Sequence, residues 1–379
     1  MDYNKLSVEK HQQYRGKLTI QSKVPLGSRE DLSIYYTPGV AEPCRLISED
    51  PELAYNYTWK NNSVAVVSDG SSVLGLGNIG GLAGLPVMEG KAILLKEFGG
   101  VDAIPIVLST QDPDEIIRVV EAISPTFGGI NLEDIAAPNC FYIEEELKKR
   151  LSIPVFHDDQ HGTAIVVLAG LINALKLVNK KFSDIKVVLV GAGAAGIAIS
   201  KLLVKYGLQN LILVDSHGAI HSGRGDLNKY KQSLLQYNIN NESGSLKEVI
   251  VGADVFIGVS RPNLIQATDV EKMAKQAIVF SLSNPDPEIT REEALAGGAY
   301  IVATGRSDFP NQINNLLVFP GIFRGALDYR IQQITDDHKI AAAEALANYV
   351  TDLNPDNIIP SALDKNIANI IAQSISKVK

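Results

Sequence analysis

Cysteine, tryptophan and positive charge are all in short supply. The 379 residues include two cysteines, Cys44 and Cys140, and a single tryptophan. No CxxC spacing exists, which excludes both a disulfide framework and a thiolate zinc cluster. Lys and Arg number 35 against 43 Asp and Glu, a net charge of −8. Such a surface repels phosphate backbones, so no nucleic-acid partner is expected. Long apolar runs are lacking as well. The longest, residues 187–199, counts thirteen residues with three glycines among them, against about eighteen or more for a membrane span. The opening Met1-Asp2-Tyr3-Asn4-Lys5 does not have the basic-then-apolar layout of a secretion signal. A soluble, cytoplasmic protein with no membrane contact is the expectation.

What is present looks globular. Hydrophobic residues make up 45% and charged residues 21%, and at about 150 residues per domain the length predicts two domains. Apolar runs at 64–67, 104–108 and 154–156 alternate with helical patterns at 112–120, 139–151 and 162–178. Asp112 caps the first of these helices and Pro113 opens its first turn. Lys148, Lys149 and Arg150 close the second, as the helix dipole prefers. The pattern restarts at Ile185 with a strand at 186–190, a glycine loop, a helix at 197–206 and a strand at 211–214. Further strands are predicted at 255–257 and 278–281, a surface loop at 238–245 and tail helices at 340–350 and 366–376. The expected fold is α/β with two domains. A smaller parallel-sheet N-terminal domain covers 1–160, and a Rossmann-type doubly wound dinucleotide-binding domain covers 161–379. The tail could pack on either.

Directly after the strand at 186–190 comes Gly191-Ala192-Gly193-Ala194-Ala195-Gly196, a GxGxxG run that opens a helix. Gly191 permits a tight turn, Gly193 lets a pyrophosphate approach the backbone, and Gly196 lets helix and strand pack closely. The free amides of Ala194 and Ala195 in the first helical turn then face the phosphates. Asp215, nineteen residues after Gly196 and at the end of the next strand, completes the fingerprint. Its carboxylate would accept the ribose hydroxyls and repel a 2′-phosphate, favouring NAD. Ser216, His217 and Arg224 leave room for NADP.

Two acidic pairs, Glu133-Asp134 and Asp158-Asp159, stand at the ends of predicted strands, where loops of a parallel sheet converge on one crevice. Carboxylates gathered there repel one another unless a hard cation shares them, and oxygen ligands suit Mg²⁺ or Mn²⁺. The same acids are also ordinary helix caps, and spacing alone does not choose. His157 and His161 do not share a helix face, which argues against zinc. Lys91 lies among apolar residues; burial would lower its pKa and make it usable as a base. Tyr36, in Tyr35-Tyr36-Thr37-Pro38-Gly39-Val40, carries no mark of its own.

Taken in order, Tyr36-Thr37-Pro38-Gly39-Val40, Leu74-Gly75-Leu76-Gly77-Asn78-Ile79-Gly80, the Lys91 segment, Leu132-Glu133-Asp134-Ile135 and Phe156-His157-Asp158-Asp159-Gln160-His161-Gly162 resemble the malic enzymes of the short prokaryotic type. The glycine fingerprint, Ser283-Asn284-Pro285 and 314–321 continue the resemblance. It implies oxidative decarboxylation of L-malate to pyruvate and CO₂, with NAD (or NADP) as oxidant and Mg²⁺ or Mn²⁺ held by Glu133, Asp134 and Asp159. It further implies Lys91 as the base, with Asp158 tuning its charge, and Tyr36 as the acid that protonates C3 of enolpyruvate. Asn284 and Asn315 would orient the substrate and the nicotinamide ribose, and the assembly would be a homodimer.

One departure stands out. Larger members carry a substrate-binding arginine just before the Leu-Gly-Leu-Gly segment, where this chain has Ser71-Ser72. A guanidinium fork for a carboxylate is missing at that point. Two alternatives are set aside. A malolactic enzyme, releasing lactate, is disfavoured by chain length, and a non-catalytic nucleotide-binding regulator by the retention of Lys91, Tyr36 and the acids.

Overall fold

Two parallel sheets, each covered by helices, divide the chain in this computed structural model. It describes residues 3–73 and 75–378; Met1, Asp2, Leu74 (the first residue of the 74–80 motif) and Lys379 lie outside. Helices of six residues or fewer are left unlabelled below.

The first sheet is built from β1 (Ser63–Ser68), β2 (Asp102–Val107), β3 (Gly129–Leu132) and β4 (Val155–His157), in the order β2-β1-β3-β4 with every pairing parallel. All six residues of β1 are buried, as befits a central strand covered on both faces. The three helices preceding β1 are α1 (Tyr3–Tyr14), α2 (Arg29–Tyr35) and α3 (Ala41–Glu49). Crossovers are made by α4 (Gly80–Gly99), α5 (Pro113–Ile123) and α6 (Asn139–Arg150). The α5 start follows the sequence reading: the Asp112 side chain accepts the Glu115 amide at 2.8 Å, with Pro113 in the first turn.

The next helix, α7 (Asp158–Val178), begins four residues earlier than expected. Its opening residues Asp158, Asp159 and Gln160 are polar and hide the helical period from an apolar count. By length and composition α7 could cross a membrane, yet 72% of its most apolar window is buried inside the fold. Polar and charged residues break the helix into short apolar runs, so run length did not reveal it.

The second sheet has the order β10-β9-β8-β5-β6-β7. Its strands are β5 (Lys186–Val190), β6 (Asn210–Asp215), β7 (Gly218–Ala219), β8 (Val255–Gly258), β9 (Ile278–Ser281) and β10 (Ile301–Thr304); only the β6–β7 pairing is antiparallel. Strand order reverses direction at β5, and α8 (Ala194–Lys205) follows that strand. In open α/β sheets a crevice opens at this switch point.

The tail packs on both layers. Helix α9 (Phe319–Asp328) lies against α4: a β-carbon on Gly99 would sit 2.8 Å from the Pro320 carbonyl oxygen. Helix α10 (Asp336–Asn348) packs on α7, and α11 (Ile367–Ile375) on α9 and α10. The buried Asn173 of α7 ties the tail down, donating to the carbonyls of Ala347 (2.8 Å) and Ile358 (3.0 Å). At the other end of the chain, no residue from 3 to 62 is buried, and Leu26, Ile34, Tyr36 and Val40 among others are exposed.

Candidate active site

Register brings the two acidic pairs together. Leu132 and His157 are partners across the parallel β3–β4 pairing, so the residues that follow them, Glu133-Asp134 and Asp158-Asp159, emerge side by side. One oxygen each of Glu133, Asp134 and Asp159 lies within 4.8 Å of the other two, and this is the sole such grouping of metal-capable side chains among the described residues. Glu133 and Asp134 are buried. Burial, with the neighbouring Asp159 and Asp158 charges, drives the Glu133 carboxyl well above its ordinary value despite Lys91. Burial and the Asp159 charge push Asp134 up to about 7. Asp134 Oδ2 is buried with no hydrogen-bond partner. A buried cluster of oxygens repelling one another, with one orphaned acceptor, fits a hard divalent cation.

Lys91 does not sit in an apolar hole. It projects from α4 to Glu133 Oε1 at 2.7 Å and Asp158 Oδ2 at 2.6 Å, and lies over the Phe319 ring at 4.2 Å from its centroid. Burial works against its charge, but the carboxylates of Asp158, Glu133 and Asp159 prevail and hold the ammonium above the ordinary lysine value. The expectation of a pKa lowered by apolar burial is therefore corrected: the neighbours that decide it are anions distant in sequence. Asp158 is itself raised to about 6 by burial, against the pull of Lys91.

Other groups fix this corner. Asn131 donates to Glu133 Oε2 at 2.7 Å, and the Asp134 amide donates to Asp159 Oδ2 at 2.9 Å. Glu144 of α6, which the sequence reading missed, is buried and accepts from His161 Nε2 (2.8 Å), the His157 amide (3.2 Å) and Lys148 (2.7 Å). It pins the β4–α7 turn that carries Asp158 and Asp159; nothing in the spacing of an acid-rich helix marks it. His161, lowered to about 3 by burial against the Glu144 charge, is a neutral partner in that clamp. Ser71, where an arginine was missed, spends its hydroxyl on Asp69 Oδ1 (2.6 Å) and the Ala136 amide (2.8 Å). Gly162 leaves space where a β-carbon would overlap Asp158 Oδ1 and lie 3.0 Å from the Asn315 β-carbon, so Asn315 abuts the same corner. Tyr36 makes no recorded contact with it. At the end of α2 it is 66% exposed, and its phenol makes no hydrogen bond among the described residues.

At the switch point the glycines behave as their spacing predicts. Gly191 has φ +112°, a region that favours glycine. A β-carbon on Gly196 would collide with the Gly191 carbonyl, whereas one on Gly193, which caps α8, would meet nothing within 4 Å. Asp215 ends β6, but its carboxylate is not free. Arg224 grips both oxygens (2.8 and 3.0 Å), Lys231 adds a contact at 2.6 Å and the His217 amide one at 2.9 Å. These bonds overcome burial and hold the Asp215 carboxyl far below its ordinary value. Simple repulsion of a phosphate by a bare carboxylate therefore does not describe this site. Asn284 follows β9 and meets the first domain: a β-carbon on Gly75 would lie 3.6 Å from its carbonyl oxygen and 3.4 Å from Pro285 Cδ.

Residues 15–148 match the family model of the malic enzyme N-terminal domain, and residues 160–378 that of the malic enzyme NAD binding domain. The chain belongs to the malic enzyme family. It is 58% identical over 363 residues to an NAD-dependent malic enzyme of Geobacillus stearothermophilus, covering 95% of this chain and 76% of that one. With a bifunctional malic/malolactic enzyme of Bacillus subtilis it shares 57% over 371 residues, covering 97% and 90%. An NADP-dependent malic enzyme of Rhizobium meliloti matches at 47%, covering 97% of this chain and 51% of that one. Among solved structures, an NAD-dependent malic enzyme of Thermotoga maritima superposes with a TM-score of 0.95 at 47% identity, covering 98% of this chain and 99% of the other. The second sheet is thus the family's dinucleotide-binding, Rossmann-type domain, and a divalent metal is general for the family.

The glycine geometry separates packing from binding. Gly196→Ala should destabilise the fold by about 1–3 kcal/mol through overpacking, read as a lower thermal midpoint. Gly193→Ala should leave that midpoint unchanged and weaken NADH binding, measured by fluorescence titration; a lowered midpoint with unaltered binding would refute the assignment of Gly193 to the cofactor.

Proposed function

We propose that this chain oxidatively decarboxylates L-malate to pyruvate and CO₂, reducing NAD, with Mg²⁺ or Mn²⁺ held by Glu133, Asp134 and Asp159. The buried three-acid cluster beside Lys91 carries the reading. The cation, when bound, supplies Lewis acidity toward the substrate oxygens and offsets negative charge developing during decarboxylation. Lys91 takes the proton of the substrate hydroxyl, and Asp158, 2.6 Å away, keeps its amine oriented and shares the charge change. Sharing Glu133 and Asp159 with the cation would weaken the hold of two of the three carboxylates that keep Lys91 protonated, which brings the amine nearer to a working base. Tyr36 supplies the proton to C3. Asn315 and Asn284 orient substrate and nicotinamide ribose, while Gly191, Gly193, Ala194, Ala195 and Gly196 cradle the pyrophosphate. Family models that end at 148 and resume at 160 support a boundary near residue 160.

The position of Tyr36 bears on assembly. Lys91 is buried at the acid cluster, whereas Tyr36 stands exposed at the end of α2, which supports a pair completed across two chains. The helices α1, α2 and α3 bury no side chain within one chain, and burial of an apolar face is what gives helices most of their stability. Both observations support a homodimer in which these helices pack on a second copy and deliver Tyr36 to that copy's Lys91. If so, mixing inactive Lys91→Ala and Tyr36→Phe proteins after joint refolding should restore about a quarter of the wild-type turnover, the share expected of one intact site per heterodimer at random pairing. No recovery would mean that both residues serve from the same chain.

For the dinucleotide, NAD is favoured because Asp215 and Asp226 balance Arg224 and Lys231, leaving no surplus cation for a 2′-phosphate. Asp215→Ala should free Lys231 and leave Arg224 held by Asp226 alone, one cation in surplus, and shift the NADP/NAD ratio of kcat/KM upward about tenfold or more; an unmoved ratio places discrimination elsewhere. A second reading, release of lactate with the cofactor retained, is supported by the Bacillus subtilis relative. This chain spans 90% of that enzyme, so length does not disfavour lactate. An assay at 340 nm with malate, NAD and Mn²⁺, with pyruvate and lactate quantified, separates the two. Net NADH with pyruvate, abolished by EDTA, is the expected result; lactate without net NADH would favour the second reading, and EDTA-insensitive turnover would overturn the metal assignment.

A further inference from the structure

Glu288 is wholly buried, at 0% exposure, and no cation pairs with it among the described residues. Its carboxylate is instead ringed by donors from two loops. Oε1 accepts the Ser260 amide at 2.8 Å, and Oε2 accepts the Ser283 amide at 3.2 Å and the Ser281 hydroxyl at 3.0 Å. Ser281 Oγ in turn accepts the Ile289 amide at 3.1 Å, and the Glu288 carbonyl accepts the Leu264 amide at 2.8 Å.

Those two loops flank the cofactor crevice. Val259 and Ser260 follow β8 and back the first glycine of the fingerprint: a β-carbon on Gly191 would lie 2.6 Å from the Val259 carbonyl oxygen and 3.2 Å from Ser260 Cβ. Ser283 follows β9 and leads into Asn284 and Pro285, which touch Gly75 of the first domain. Gly258, whose β-carbon would fall 2.7 Å from Glu288 Oε2, leaves the space in which the carboxylate lies. A continuous line of contact therefore runs from Gly191 through Ser260, Glu288 and Ser283 to Asn284.

We propose that Glu288 is a positioning residue for the dinucleotide, holding the turn behind Gly191 and the loop bearing Asn284 at a fixed separation. The proposal rests on the reading above that the cofactor lies between those two loops. A carboxylate is required because both of its oxygens must accept from main-chain amides; an amide in its place would aim its own N–H₂ at one of them. Burial raises the Glu288 carboxyl above its ordinary value, and the hydrogen bonds from Ser260, Ser283 and Ser281 oppose that rise.

The test uses the full chain with NADH as the only nucleotide probe. In Glu288→Gln, one main-chain amide loses its acceptor, and the NADH Kd from fluorescence titration should rise about tenfold. Mn²⁺ affinity, read by electron paramagnetic resonance, should stay at the wild-type value, since Glu133, Asp134 and Asp159 belong to the other sheet. Ser281→Ala, which removes one donor to Glu288 and the acceptor of the Ile289 amide but leaves both main-chain bonds to the carboxylate, should raise the NADH Kd about two- to threefold. A wild-type NADH Kd in Glu288→Gln, or an equal loss of Mn²⁺ affinity, would overturn the proposal. If Glu288→Gln does not fold, Ser281→Ala decides it by the same readouts, an unchanged NADH Kd being the refuting result. Failure of the wild-type chain to bind NADH would strike the assignment of the crevice instead.

Discussion

Like charges gathered in a buried place are the constraint around which the first domain is arranged. Glu133, Asp134, Asp158 and Asp159 leave two neighbouring strands in register, and their mutual repulsion is heightened by exclusion of water. Among the described residues a single ammonium, that of Lys91, answers them, bonded to two of the four. Much of the surrounding structure keeps that arrangement in place. Asn131 holds one Glu133 oxygen, Glu144 clamps the turn before Asp158, and Gly162 gives the Asp158 carboxylate its space. A divalent cation would relieve the repulsion further, which explains why a protein tolerates such a cluster at all.

The alternation of strands and helices was legible because it rests on local patterning. The caps at Asp112 and the glycine loop, the buried run of β1 and the order of the motifs all carried over to the fold. The acidic pairs were legible too, but their meaning was not: as caps and as ligands they look the same along the chain, and only the β3–β4 register separates the two. Glu144 was invisible for the same reason in reverse, one acid among several on a helix, whose bonds to the β4–α7 turn reach 13 and 17 residues along the chain.

Lys91 and Asp215 teach the complementary lesson. Each was read from its immediate neighbours, and in each the decisive partner is not adjacent. Apolar residues surround Lys91 in sequence, whereas Glu133 and Asp158 surround it in space. Asp215 reads as a free acid at a strand end, whereas Arg224 and Lys231, brought by the following loop and turn, occupy its oxygens. Electrostatic inference from sequence fails where long-range pairing sets the local potential, and ionisable groups at a crevice are where such pairing concentrates.

The way the tail is seated has a consequence for dissecting the molecule. Helix α9 covers α4, and Asn173 grips main-chain carbonyls of Ala347 and Ile358, so the stretch from Phe319 onward seals surfaces made by the first half. Severing the gene near residue 160 would strip that seal from one fragment and leave the other with a bare apolar face. Separate expression of the two halves would yield sticky, poorly soluble pieces.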